Sequence, residues 1–425
     1  MTKRVRRKSK PNAVRRFFSV LGPGLTTGAA DDDPSGIATY SIAGAQHGTA
    51  LLWTAFITWP LMAPVQMMCA RIGMCTGKGL GGALRDKFPA WLVGVVALAL
   101  LIANTINVGA DLAGMADAAK MLTGFNSHYF VILLGVGIAF ATIWFRYVQI
   151  ANLLKWLALT LFAYVFTAII IRPNWIAIVH DTFIPSWPKG HEAWATLVAI
   201  LGTTISPYLF FWQASQEVEE EKAMGRRMLV QREGASSRDI TNRKLDVGVG
   251  TFFSNLVMYF IILTTALTLH AHGITNVETS AQAASALEPF AGKFASTLFT
   301  IGILGVGLLA IPTLTGSAAY AFAETFGWRQ GLDRKLRSAP AFYCIILLST
   351  LVGIALDFAK VNPVKALFWT AVINGLLAPF LLVGILVVAS DRKIMNDQCS
   401  SFLGRAIVAL TTLAMFGAAI GMFVF

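Results

Sequence analysis

Long apolar runs recur along the chain, separated by short polar or basic stretches. A hydrocarbon core about 30 Å thick takes about 20 residues of α-helix. Eleven stretches reach that length, at roughly 17–47, 50–74, 91–116, 129–146, 150–171, 193–216, 247–270, 294–325, 341–358, 364–389 and 405–425. No soluble domain interrupts them. The longest hydrophilic stretch, 217–246, opens with Glu217, Glu219, Glu220 and Glu221 and then turns basic, as expected of a solvated cytoplasmic loop.

Composition agrees with this pattern. The 425 residues are 56% apolar and only 13% charged, with mean hydropathy +0.65, whereas soluble domains are about a quarter charged. The placing of charge tests the span count independently. With the basic segment 1–16 in the cytoplasm and eleven crossings, 28 of the 34 Lys and Arg residues fall on the cytoplasmic side. That asymmetry is what the positive-inside rule demands, and dropping one span scrambles it. The net charge of +12 therefore reports topology and some attraction to acidic headgroups, not a nucleic-acid footprint. The expected class is an all-α polytopic protein of a bacterial inner membrane, its N-terminus cytoplasmic and uncleaved. Cys69, Cys75, Cys344 and Cys399 form no CxxC, so they read as packing residues and not as a thiolate site.

A weak internal symmetry points to the working centre. The first span contains Gly24-Leu25-Thr26-Thr27-Gly28-Ala29-Ala30-Asp31-Asp32-Asp33-Pro34-Ser35-Gly36, and the sixth contains Gly202-Thr203-Thr204-Ile205-Ser206-Pro207-Tyr208. Each sets a proline behind a Gly/Thr stretch, five spans apart. Five is odd, so the two halves enter the membrane from opposite faces, as in the inverted repeats of secondary transporters, whose sites lie at discontinuous helices. The expected units are the N-terminal segment 1–16, a first repeat 17–192, a second repeat 193–404 and an eleventh helix 405–425.

Carboxylates inside a span are costly unless they meet a cavity, a partner or a cation. Asp31, Asp32 and Asp33 point around the helix and cannot all face one side. Asp33 precedes Pro34, and the residue before proline is pushed out of helical geometry, while the proline leaves an earlier carbonyl without its donor. One carboxylate among freed carbonyls suits a hard divalent cation. For Asp31 and Asp32 a wet interface is an equal alternative. Pro207 repeats the device without charge, freeing carbonyls near Thr203 and Thr204 beside the Ser206 hydroxyl. Asn374, five residues before Pro379, offers either an oxygen to the site or an interhelical hydrogen bond. His270 and His272 read as an exposed loop pair, and His47 as a cap or interface residue.

Asp33-Pro34-Ser35-Gly36-Ile37-Ala38-Thr39, followed by Ala43-Gly44-Ala45-Gln46-His47-Gly48, resembles the first-helix signature of the Nramp family of divalent-metal transporters, which runs Asp-Pro-Gly-Asn, Ala-Thr, Ala-Gly-Ala-Gln. Gly202 to Gln213 is similar to the family's sixth helix and Asp111-Leu112-Ala113 to its third. The resemblance covers spans one to ten and implies a LeuT-type fold of five plus five helices with an eleventh added, helices one and six broken, and a metal site between them. It implies no cofactor and no enzymatic activity, the metal being cargo. In transition-metal members the ligands are an aspartate, an asparagine, a methionine and a backbone carbonyl. By position these become Asp33, Gly36, Ser206 and the carbonyl of Thr203. Loss of the thioether and the amide leaves a larger site of oxygen only, suited to partly hydrated Mg²⁺ and still open to Mn²⁺. The family's proton-handling glutamate becomes Gly114, its two sixth-helix histidines become Tyr208 and Gln213, and no basic residue lies within 341–358. This pattern resembles the Nramp-related magnesium transporters, which lack obligatory proton coupling, although Asp111 is retained and leaves a route for protons open. A proton-coupled Mn²⁺/Fe²⁺ importer and an amino-acid or organic-cation carrier of the same fold are the rival expectations. An intramembrane aspartyl enzyme needs a second poised carboxylate, for which Asp111 is the only candidate.

Overall fold

The computed structural model describes residues 22–145, 158–186, 190–359 and 361–425. The basic segment 1–16, the first residues of span one, Arg146, Lys155, Lys189, Lys360 and the start of span five lie outside the described residues. Every regular element among the described residues is helical. Span one is two half-helices, α1 (Pro23–Asp31) and α2 (Pro34–His47). Next come α3 (Leu52–Thr76), α4 (Ala90–Thr123), α5 (Ser127–Trp144) and, for span five, α6 (Ala163–Ile171). Span six is split again into α7 (His191–Thr204) and α8 (Pro207–Ala223). The remaining long helices are α9 (Ser237–Thr268), α10 (Ala295–Phe326), α11 (Pro340–Leu356), α12 (Pro363–Ser390) and α13 (Phe402–Val424). Each predicted span thus finds a helix. Nine runs among the described residues are long and apolar enough to cross a membrane, α2 and α3 belonging to one run and α6 being shorter.

Burial grades from centre to rim. In the most apolar window of the α7–α8 run 94% of residues are buried, against 28% for α5, so span six is the axis and span four lies at the perimeter. The outer helices turn Leu133, Phe140 and Leu413 outward, while Asp31, Asp32, Asp33, Asn104, Asn107 and Asp111 are buried in the interior. This inverts the soluble pattern, as apolar solvent requires.

Both broken helices rest on their neighbours backbone to backbone. A methyl built at Gly24 would lie 2.6 Å from the Val247 amide nitrogen, one at Gly28 2.4 Å from the Gly250 carbonyl, and one at Gly44 2.2 Å from the Ile262 carbonyl, all on α9. At Gly202 the same atom would meet the Ala371 carbonyl at 2.0 Å and the Gly375 nitrogen at 2.3 Å, both on α12. Small residues allow such approach where no hydrophobic drive pulls helices together.

The expectation of a solvated loop over 217–246 is corrected. Helix α8 runs on to Ala223 and α9 begins at Ser237. Their polar ends pack into a charge cluster around Arg243, whose side chain is 11% exposed. Its Nε lies 2.8 Å from Glu217 and its Nη1 2.6 Å from Asp246, and Nη2 pairs with Glu220. Asp246 also accepts from the Gly22 and Gly24 amides, each at 2.8 Å. A carboxylate thereby sits at the positive end of α1, where helix amides lack internal partners.

Candidate functional site

The two breaks share a construction. Helix α1 ends at Asp31, Asp32 and Asp33 leave helical geometry, and α2 restarts at Pro34. Helix α7 ends at Thr204, Ile205 and Ser206 are extended or irregular, and α8 restarts at Pro207. Proline at the first helical position has no N–H to satisfy and a φ already suited to the helix. Asp33 is the N-cap of α2, its Oδ1 accepting from the Gly36 amide at 2.7 Å, the role for which aspartate is favoured. Ser206 behaves differently. Its hydroxyl turns back and donates to the Gly202 carbonyl at 2.6 Å and the Thr203 carbonyl at 2.7 Å. Of the carbonyls expected to be freed by Pro207, that of Thr203 therefore shares the serine's single proton with Gly202, and oxygen lone pairs remain on all three groups.

The breaks meet. A methyl at Gly36 would lie 3.1 Å from the Thr203 hydroxyl, and the Tyr208 hydroxyl reaches the Ala30 carbonyl at 3.0 Å and Asp33 Oδ2 at 3.4 Å. Asp33, Pro34, Gly36, Thr203, Ser206, Pro207 and Tyr208 are thus brought together, and each side chain among them is buried. Asp111, on α4, is buried beside the same break; no side chain hydrogen-bonds to its carboxylate, which faces the Ser35 amide and the Asp33 charge. Asp31 and Asp32 turn away to α9, where both accept from the Ser254 hydroxyl, Asp32 at 3.2 Å. One hydroxyl carries one proton, so it serves one carboxylate at a time. Both are buried, which favours the interior over a wet interface. Asn374 is buried on α12 between Ala371 and Gly375, which contact Gly202, and its Oδ1 has no hydrogen-bond partner; the expected interhelical bond is not made by this oxygen. His270 caps the Ala45 carbonyl at 2.8 Å and His47 meets Thr196 at 3.3 Å, both at helix interfaces.

Two participants are not flagged by the sequence pattern. Asn107 of α4 donates through Nδ2 to Asp33 Oδ2 at 3.3 Å, and Ser254 of α9 holds the flanking carboxylates. The stripe Asn104, Asn107, Asp111 within an apolar helix is the signal that marks the first, because residues three and four apart share a face. Nothing local marks Ser254. Among the described residues no three His, Cys, Asp or Glu side chains converge to hold a metal ion. What the arrangement offers is one capped carboxylate, hydroxyls and carbonyls, all oxygen, where two helices stop.

Two discontinuous helices, crossing at a buried carboxylate within an all-helical apolar bundle, define a membrane transporter of the inverted-repeat type. The family model described as natural resistance-associated macrophage protein-like matches residues 24–425, and the chain belongs to that family. Curated relatives include the divalent metal cation transporter MntH of Erwinia tasmaniensis, 26% identical over 412 residues with 92% of each chain covered. The protein of the same name from Klebsiella pneumoniae is 26% identical over 425 residues, covering 96% of this chain and 95% of that one. Among solved structures, the Eremococcus coleocola manganese transporter superposes with a TM-score of 0.76 at 17% identity, over 98% of this chain and 88% of that one. MhsT in complex with L-phenylalanine gives 0.59 at 15% identity, over 98% and 99%. The fold is accordingly the LeuT type, with helices one and six broken.

Proposed function

We propose that this protein carries divalent cations, Mg²⁺ and Mn²⁺, across a bacterial inner membrane by alternating access, without obligatory proton coupling. The observation that carries the reading is the donor set at the crossing: Asp33, Thr203 and Ser206 supply oxygen, and Gly36 supplies no side chain. Mg²⁺ takes oxygen ligands and dehydrates reluctantly, whereas thioether sulfur selects softer ions. The cation sits at Asp33, with the Thr203 carbonyl and Ser206 hydroxyl across the gap. The 17–192 and 193–404 repeats rock about it, and the basic face, with the N-terminus, lies in the cytoplasm.

Uncoupled transport is supported by the filling of proton-handling positions. Gly114 carries no acid and faces the Leu367 side chain, and Tyr208 is a poor proton carrier near neutral pH. One observation favours a coupled Mn²⁺ importer instead, the retained Asp111, a buried carboxylate with no side-chain hydrogen-bond partner. The relatives named for manganese and divalent metal point to ion class in either case. Purified protein in liposomes holding a metal-sensitive and a pH-sensitive dye decides between them. The expected result is entry of both ions without matching acidification, and loss of both with Asp33→Ala. Mn²⁺ entry with stoichiometric acidification and no Mg²⁺ entry refutes the proposal.

A further inference from the structure

Helix α4 passes the break in span one and presents Asn107 to it. The orientation of this side-chain amide is fixed by chemistry. Asp33 Oδ2 is the neighbour at 3.3 Å, and an ionised carboxylate only accepts, so the NH₂ group must face it. The carbonyl oxygen, Asn107 Oδ1, then points elsewhere, and there it is buried without a hydrogen-bond partner. The residue is fully buried, at 0% exposure. Four residues on, Asp111 shares the face, its carboxylate facing the Ser35 amide and without a side-chain hydrogen-bond partner. Asn104, one turn earlier, also has a buried Oδ1 without a partner, but its NH₂ is held by the Leu314 carbonyl at 2.8 Å and the Ser317 hydroxyl at 2.9 Å on α10 and not by Asp33.

We infer that Asn107 is a specificity-determining positioning residue: its NH₂ holds Asp33, and its Oδ1 accepts from a water carried by the transported cation, replacing from span three the amide that Gly36 lacks. The assignment rests on the magnesium transport proposed above. Buried polar atoms in folded proteins are hydrogen-bonded in the great majority, so lone acceptors gathered at one place mark where donors arrive. A cation that keeps part of its hydration shell brings such donors, since Mg²⁺ usually retains several waters. Its coordinated waters point hydrogens outward, and a neutral amide oxygen accepts one without adding a charge that would compete for the metal. An ion that sheds its water brings no donor and gains little from Asn107. The residue therefore favours the hydrated ion.

The experiment is uptake into liposomes of the full-length protein, with KM and maximal rate measured for Mg²⁺ and for Mn²⁺, in wild type and Asn107→Ala. Asn107→Ser, smaller but still polar, is run beside it so that a folding defect in the alanine variant does not stand alone. The expected result is a rise in Mg²⁺ KM of roughly tenfold, on the order of one hydrogen bond to a charged partner, with the maximal rate retained and Mn²⁺ KM moving less. A matching displacement of the Mg²⁺ concentration that half-inhibits Mn²⁺ uptake supports the same conclusion. Equal losses for both ions, or a fall in maximal rate at unchanged KM, would overturn the assignment in favour of a purely structural role. Wild-type vesicles that take up Mn²⁺ but no Mg²⁺ overturn the transport reading and this inference with it, an outcome visible before any variant is made.

Discussion

Replacing Arg243 by alanine tests whether the polar ends of α8 and α9 are held by charge. The wild-type guanidinium is 11% exposed and faces Glu217 at 1% and Asp246 at 0% exposure. Its removal leaves two carboxylates buried without their cation. Breaking a buried ion pair from one side costs about 3–5 kcal/mol. The lower end applies, because Asp246 keeps the Gly22 and Gly24 amides and Glu217 keeps the Gln213 side chain at 2.7 Å. Near 3 kcal/mol, at about 2 °C per kcal/mol for larger domains, gives a drop in unfolding midpoint of about 6 °C. The assay is thermal unfolding in detergent, followed by tryptophan fluorescence and by recovery of monodisperse protein. A companion variant combining Arg243→Met, Glu217→Gln, Glu220→Gln and Asp246→Asn removes the charges together and should recover most of the loss, since whole networks are often replaceable at little cost. A midpoint for Arg243→Ala within about 2 °C of wild type would refute the argument, as would a companion variant less stable than the single one.

Three further expectations follow from the geometry. Gly36→Asn with Ser206→Met should shift uptake toward Mn²⁺ over Mg²⁺ in competition assays, at some cost in yield because the new Cβ lies 3.1 Å from the Thr203 hydroxyl; unchanged selectivity would place discrimination elsewhere. Gly202→Ala should unfold well below wild type, by more than about 2 kcal/mol, because its methyl meets fixed backbone of α12 at 2.0 Å and overpacking of this kind commonly costs about 1–3 kcal/mol; a midpoint equal to wild type would mean the helices part easily there. The Thr49 hydroxyl donates to Asp181 at 2.5 Å and holds that carboxyl below its ordinary range, with a smaller contribution from His180. A depressed folded value stabilises above the unfolded pKa and is lost as pH falls through the folded one, so the small advantage of wild type over Thr49→Val should begin to shrink below about pH 4 and be gone once the pH is below the depressed folded value; an advantage that persists in stronger acid would show that packing, not the carboxylate, is responsible.

The spans and their breaks were legible because the bilayer imposes a length and proline imposes an end. Helix ends were less so. Hydropathy marks where α9 becomes apolar, near 247, but the helix starts at Ser237, because Arg243 and Asp246 are compatible with a helix once they pair with α8 and α1. Polarity there reports a buried cluster, which looks like a loop when its partners are far away in sequence. The same distance hides Ser254, whose acids lie over 220 residues earlier. Asp33 was legible since its chemistry and its geometry share one motif. The capping of the Thr203 carbonyl by Ser206 was not, because a serine before proline gives no indication of which way its hydroxyl turns.

The glycine contacts along span one also bear on motion. Interlocked side chains must climb over one another when helices shift, and packed interiors resist this by jumping between discrete arrangements. At Gly24 and Gly28 there are no such knobs, and backbone meets α9 directly; at Gly44 the Thr265 side chain of α9 closes in as well. Along α1 the seam offers little to interlock, while the carboxylate of Asp246 holds one end of that half-helix to α9 and the Ser254 hydroxyl holds the other. A rod smooth along its length, held at each end by the same neighbour and cut just beyond the second hold, moves with α9 and not across it.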